Sequence, residues 1–66
     1  MTYEQAKVGL RVRDSVYGSG TILRKYIETN GTPMIVVETD GDGDPNYSVA
    51  CEKIHTEPGE WELIDA

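Results

Sequence analysis

The sequence predicts an all-β domain, a small five-stranded barrel with a short N-terminal helical turn. Turn-forming residues recur roughly every eight to twelve residues, and the segments between them alternate apolar and polar residues or are rich in β-branched residues. Of the 66 residues, 38% are hydrophobic, enough for one compact core. We therefore expect residues 1–66 to form a single domain, and a barrel rather than a sandwich, which usually takes about 100 residues.

The first half of the chain is expected to supply a helical turn and two strands. Thr2–Gln5 has the spacing of a capping box. Leu10–Arg13 alternates, with its apolar residues facing inward and its arginines outward. A glycine-rich turn, Tyr17–Gly20, then leads into a long strand over Thr21–Thr29. The alternation along that strand is ambiguous, and a sharp bend or a bulge can switch its faces midway. We therefore expect Ile22 inside and leave the other positions of the strand open.

The second half is expected to supply three more strands. Asn30–Gly31 indicates a hairpin turn. The strand Met34–Thr39 follows, and as the most apolar segment it is expected to be central. Asp40–Asn46 reads as a turn and Tyr47–Ala50 as a fourth strand. Trp61–Ile64 closes the barrel after a further turn containing proline and glycine.

The composition argues against catalysis, a cofactor and a dedicated metal site. One cysteine excludes an intramolecular disulfide, and on a strand Cys51 and His55 would stand about 13 Å apart, too far for a dyad. The acidic run Asp40–Asp44 resembles the start of a calcium loop. Its sixth and twelfth positions are Pro45 and Cys51, however, instead of the glycine and glutamate such a loop needs. We expect a non-enzyme, with divalent binding by the acidic run left open.

Two segments resemble the start of SH3-like, Tudor-like domains. They are Val8–Arg13 and Tyr17–Ile22, continued by Val37–Asp40, so the resemblance covers roughly residues 8 to 40. Such domains include the C-terminal domain of UvrD/PcrA helicases and, more loosely, the polymerase-binding domain of CarD. The resemblance implies a recognition module that binds RNA polymerase or a DNA-processing enzyme through a strand edge and adjoining loops.

Three glycines of this motif are expected to be structural. Gly9 permits a tight turn into the first strand, and Gly18 and Gly20 are expected to adopt the positive φ of a close hairpin. Tyr17, at the turn, is expected to cover one end of the barrel.

Charge is distributed unevenly along this acidic chain. Residues 1–25 carry a net charge of +3 and residues 26–66 a net charge of −9, giving −6 overall. If the first two strands pair, Arg11, Arg13 and one of Arg24 or Lys25 could form a compact basic patch. These four residues are the candidates for binding phosphate, with a tyrosine stacking on a base. The alternative is a solvated strand face whose cations are balanced by acids on neighbouring strands.

The favoured function is a protein-interaction module, and the alternative is a nucleic-acid-associated regulator that uses the basic patch. The aromatic residues expected to anchor a protein partner are Tyr17, Tyr47 and Trp61. The longest apolar run, Met34–Val37, is far shorter than the roughly 20 residues of a membrane span. We expect a cytoplasmic protein that is monomeric or weakly self-associating.

Overall fold

The computed structural model describes residues 1–40 and 53–64, and in this part of the chain the protein is a five-stranded antiparallel sheet. The strands are β1 (Arg11–Asp14), β2 (Gly18–Ile27), β3 (Pro33–Thr39), β4 (Lys53–Thr56) and β5 (Glu62–Leu63), with a 3₁₀ turn, η1, over Pro58–Glu60. The order across the sheet is β4-β3-β2-β1-β5. The predicted all-β class is confirmed. Within these residues no helix is long and apolar enough to cross a membrane.

The strand assignments differ from the sequence expectation at two places. The central strand of the sheet is β2, which pairs with β1 on one side and β3 on the other, so the expectation that Met34–Thr39 is central was wrong. Lys53–Thr56 forms β4, a strand that was not predicted. The predicted strand Tyr47–Ala50 lies outside the described residues.

A β-bulge interrupts β2 and resolves the ambiguous alternation of this strand. Ile22 pairs with Val37 of β3, whereas Arg24 pairs with Val36, so Leu23 is an extra residue without a partner in the register. An extra residue shifts the alternation of side chains by one position. Residues after the bulge therefore face the opposite way from what strict alternation would give.

The bulge decides which side chains of β2 reach the outer face of the sheet, the face opposite the core. Arg24 and Tyr26 lie on this outer face, although strict alternation would have grouped them with the buried Ile22. Lys25 pairs with the buried Ile35 and faces the core side, at the end of the sheet. Arg24 and Lys25 therefore lie on opposite faces, so only one of them can share a face with Arg11 and Arg13, as expected.

The core lies on one face of this single sheet. Its buried members are Ala6, Val12, Ile22, Ile35, Val37 and Trp61, and Met1, Leu10 and Ile54 pack against them. Every strand from β1 to β4 contributes to this set, and the N-terminal segment and the η1 connection cover it. Burying these side chains supplies the main stabilising free energy available to so short a chain.

The N-terminal segment is a hydrogen-bonded turn held by the predicted capping box. The Thr2 amide donates to Gln5 Oε1 at 2.9 Å, and the Gln5 amide donates to Thr2 Oγ1 at 3.2 Å. The Ala6 amide donates to the Thr2 carbonyl at 3.1 Å. The α-ammonium of Met1 donates to the Trp61 carbonyl at 2.7 Å. These bonds place Ala6 in the core.

Gly20 is required by close packing and not by its backbone conformation. A Cβ atom there would lie 2.6 Å from Val37 Cγ1 and 2.7 Å from the Glu38 carbonyl oxygen. A positive φ was expected at Gly18 and Gly20. It is found at Gly18 (76°), and also at Gly9 (92°), but not at Gly20, so the expectation for Gly20 was wrong. Gly20 instead lets β2 approach the edge of the core without a clash.

Candidate interaction surface

The β1–β2 hairpin tip, defined as Ser15, Val16 and Tyr17, is fixed by a buried carboxylate. Asp14 is almost fully buried, and its Oδ1 accepts hydrogen bonds from the amides of Val16 at 2.7 Å and Tyr17 at 3.1 Å. A short acidic side chain that caps the backbone two and three residues onward is typical of an Asx-type turn. The hairpin tip is therefore held in one conformation before any partner binds.

Tyr17 connects the hairpin tip to the core. Its ring stacks on that of Trp61, with centroids 6.1 Å apart and planes 9° from parallel. Trp61 is 1% exposed and Tyr17 is 49% exposed, so one ring is anchored while the other reaches solvent. Tyr17 therefore covers part of the Trp61 ring at the surface.

The hairpin tip presents apolar side chains to solvent. Val16 is 79% exposed, the largest exposed fraction among the large hydrophobic residues described. Leu63, on the neighbouring strand β5, is also exposed. A groove of about 210 Å³ at the base of the tip is lined by Arg13, Asp14, Ser15, Glu60 and Glu62. The result is an apolar projection with a charged border.

Two residues of the predicted basic patch are engaged in ion pairs. Arg11 pairs with Asp40 through two parallel hydrogen bonds, and its Nη1 also donates to Thr21 Oγ1 at 2.8 Å. The hydrogen bonding with Arg11 and the guanidinium charge lower the pKa of the Asp40 carboxyl, and the same hydrogen bonding and the carboxylate charge raise the pKa of Arg11; partial desolvation opposes both shifts. Arg13 pairs with Glu62 at 3.4 Å, and both are well exposed.

The other two residues of the patch contact aromatic rings. The Arg24 guanidinium lies over Tyr26, 5.2 Å from the ring centroid. Lys25 Nζ lies 4.3 Å from the Tyr3 ring centroid and donates to the Tyr3 carbonyl at 3.1 Å. Because Lys25 faces the core side under the N-terminal turn, the four cations do not form one continuous patch.

The three predicted partner-binding aromatics have different locations. Tyr17 is exposed at the hairpin tip, as required of an anchor. Trp61 is a core residue, and we correct its assignment, because a ring buried against Val12 and its neighbours cannot reach a partner. Tyr47 lies outside the described residues, as does the acidic run after Asp40.

Sequence reasoning missed three surface features. The first is the exposed Val16 on a turn held by the Asp14 carboxylate, because neither residue belongs to a recognisable motif. The pairing of Tyr26 with His55, whose Nδ1 lies 3.2 Å from the tyrosine hydroxyl, joins β2 to β4 across 29 positions in sequence. A larger groove, about 600 Å³, is lined by residues that include Glu28, Glu57 and Glu60.

Among residues 1–40 and 53–64, no group of three potential ligands is placed to hold a metal ion.

Searches against protein-family models, curated proteins and solved structures find no match to this chain. The surfaces are therefore interpreted from their own geometry.

Proposed function

We propose that this protein is a small non-catalytic interaction module that binds a protein partner through the β1–β2 hairpin tip. The observation that carries the proposal is the solvent exposure of Val16 and Tyr17 on a turn that Asp14 holds fixed. A rigid apolar anchor loses little conformational entropy on binding, which favours affinity from a small contact area. The tip therefore has the two properties of a binding anchor, apolar surface and preorganisation.

The fold proposed for this module is the SH3-like, Tudor-like barrel that the sequence resembles. A single sheet that buries all its core residues on one face, without a second sheet among the described residues, supports a strongly curled shape. The short connection between the outermost strands β4 and β5 also supports a curled shape, because it consists only of residues 57–61, which include η1. With three of its residues in η1, at about 2 Å of rise each, this connection spans roughly 16 Å, which is less than the roughly 19 Å across the four interstrand gaps of a flat five-stranded sheet.

A strand edge is the second route to a protein partner. In the described part of the chain β4 and β5 are the outermost strands. β5 is only two residues long, so it offers few main-chain hydrogen bonds to an added strand. We favour the hairpin tip because apolar anchors in the centre of an interface carry most of its binding energy.

The partners to test first are those the resemblance implies, RNA polymerase and DNA-processing enzymes. A photo-crosslinking amino acid at position 16 is expected to capture the partner from nuclease-treated lysate. The same amino acid at Ile27, an apolar residue exposed on β2 away from the tip, serves as the matched control. Crosslinks at both positions, or only at Ile27, would contradict the tip as the binding surface.

Val16→Asp measures the contribution of the tip without disturbing the core, because this side chain is 79% exposed. With the captured partner purified, we expect Val16→Asp to weaken binding about tenfold or more. Ile27→Asp is expected to change it little. Partner binding that survives Val16→Asp but is lost when β4 is blocked would favour the strand edge.

A further inference from the structure

Three side chains on the outer face form a connected cluster that the proposed function does not use. The outer-face cluster consists of Arg24 and Tyr26 from β2 and His55 from β4. The β2 bulge turns Arg24 and Tyr26 outward, and the register aligns Arg24, Val36 and His55 across three adjacent strands. Val36, between them, is 5% exposed. The cluster therefore borders a buried apolar position on the side of the sheet away from the core.

The contacts within the cluster orient its planar groups. Arg24 lies over the Tyr26 ring, and the rings of Tyr26 and His55 meet edge to face with centroids 6.1 Å apart. The hydrogen bond between the Tyr26 hydroxyl and His55 Nδ1 leaves Nε2 as the other polar atom of the imidazole. Arg24 and His55 are both exposed, whereas Tyr26 is half buried. A guanidinium and an imidazole ring are thus presented to solvent, supported by a tyrosine.

The charge of this face differs from that of the whole chain. The ion pairs found among the described residues involve Arg11 and Arg13, so within that part of the chain Arg24 has no carboxylate partner. On β2, β3 and β4 the outer face carries the cations Arg24 and Lys53 and one carboxylate, Glu38, which is opposite Lys53 in the register. On these three strands the outer face has a net charge of +1, on a chain whose net charge is −6. His55 also lines a groove with Glu28 and Glu57, so the positive charge lies on the Arg24 and Lys53 side of the cluster.

We infer that the outer-face cluster binds single-stranded nucleic acid. Unstacked bases bind on aromatic rings and on guanidinium planes, and the N–H edge of an arginine binds phosphate. Arg24 and His55 supply the stacking surfaces, and Arg24 also supplies the donors. This inference is independent of the protein partner, since Val16 and Tyr17 lie on the hairpin tip.

Nearby carboxylates limit the path that a bound strand can follow over the outer face. Glu28 and Glu57 directly follow β2 and β4, and they border the cluster at the end of the sheet where β2 turns into β3. Lys53 lies on the opposite side, two residues before His55. Phosphates therefore extend from Arg24 toward Lys53. The negative field of the whole chain weakens binding of a polyanion, so the complex forms at low salt.

Fluorescence anisotropy with a labelled oligothymidine of about ten nucleotides tests the inference. At low salt we expect saturable binding that weakens as salt is added. Arg24→Gln and His55→Ala are each expected to lower the association constant by about fivefold or more. Glu57→Gln is expected to raise it, because the substitution removes a neighbouring negative charge.

Arg13→Gln is the matched control, because it makes the same change in net charge at an exposed arginine outside the cluster. We expect it to bind as the wild type does. Equal losses in Arg13→Gln and Arg24→Gln would overturn the inference, since only overall charge would then matter. The absence of saturable binding at low salt would also overturn it, as would equal binding of a duplex, whose bases cannot stack on the cluster.

Discussion

Tyr17 and Trp61 form a nearly parallel stack that joins the β1–β2 hairpin tip to the core. The two residues are 44 positions apart in sequence, and they meet because β5 pairs with β1 next to the hairpin that carries Tyr17. One ring is buried and the other is half exposed. Loss of the Tyr17 ring therefore affects both the hairpin tip and the packing of Trp61.

Tyr17→Ala is expected to destabilise the protein by about 0.5–1.5 kcal/mol beyond the loss of buried area, the usual contribution of an aromatic pair. Trp61 is the only tryptophan, so its emission reports this contact directly. We expect a red-shifted emission and a lower urea midpoint for Tyr17→Ala. Tyr17→Phe, which keeps the ring, should match the wild type. Unchanged emission in the alanine variant would show that the stack does not shield Trp61.

Gly20→Ala is expected to cost about 1–3 kcal/mol, the range for overpacking in a well-packed site. The added Cβ would meet Val37 and also the Glu38 backbone, which cannot rotate away. Gly59→Ala is the control, since nothing lies within 4 Å of its Cβ position. Urea unfolding of both variants should show a lower midpoint only for Gly20→Ala. A neutral result would mean that β3 can shift to accommodate a methyl group.

Local sequence patterns predicted most of β1, β2 and β3, because apolar alternation and turn residues act over a few neighbouring positions. The ambiguous alternation of β2 left a bulge open without locating it, because the bulge at Leu23 depends on how β2 pairs with β3. β4 was missed since Lys53–Thr56 contains only one strongly apolar residue. Which strand is central depends on pairing across the sheet, and composition alone misassigned it.

The candidate site was less predictable than the fold. Tyr17 was identified because it lies in a turn, whereas the burial of Trp61 depends on long-range packing. The basic patch was inferred from the expected pairing of the first two strands, with balance by acids on neighbouring strands as the alternative. Arg11 and Arg13 fit that alternative, but the acids that pair with them lie 29 and 49 positions away and were not identified. A contact over such separations leaves no local pattern that a single sequence could reveal.

Asp14→Ala is expected to destabilise the hairpin by about 1–3 kcal/mol, since the amides of Val16 and Tyr17 would lose their acceptor. Asp14→Asn retains a side-chain oxygen and should lose less. Amide hydrogen exchange at positions 16 and 17 measures the effect locally. Ser15→Ala, at an exposed neighbour, is the control. Equal protection in Asp14→Ala and the wild type would show that the turn does not depend on this carboxylate.

The Arg11–Asp40 pair predicts a specific response to acid. The hydrogen bonds from Arg11 hold the pKa of Asp40 below its ordinary value of 3.8, so the native state favours the ionised carboxyl. A depressed native pKa gives stability that is fully present above that ordinary value. This stability is lost as the pH falls through the native pKa of Asp40, which lies lower still.

Arg11→Gln is therefore expected to be less stable than the wild type at neutral pH, and the difference should shrink as the pH falls below 3.8. Because both side chains are substantially exposed, the difference should be small and should diminish with salt. Urea unfolding across pH gives the stabilities, and an NMR titration gives the pKa of Asp40. That pKa should rise in Arg11→Gln and stay unchanged in Arg13→Gln, whose pair is with Glu62. A low pKa that persists in Arg11→Gln would assign the shift to another group.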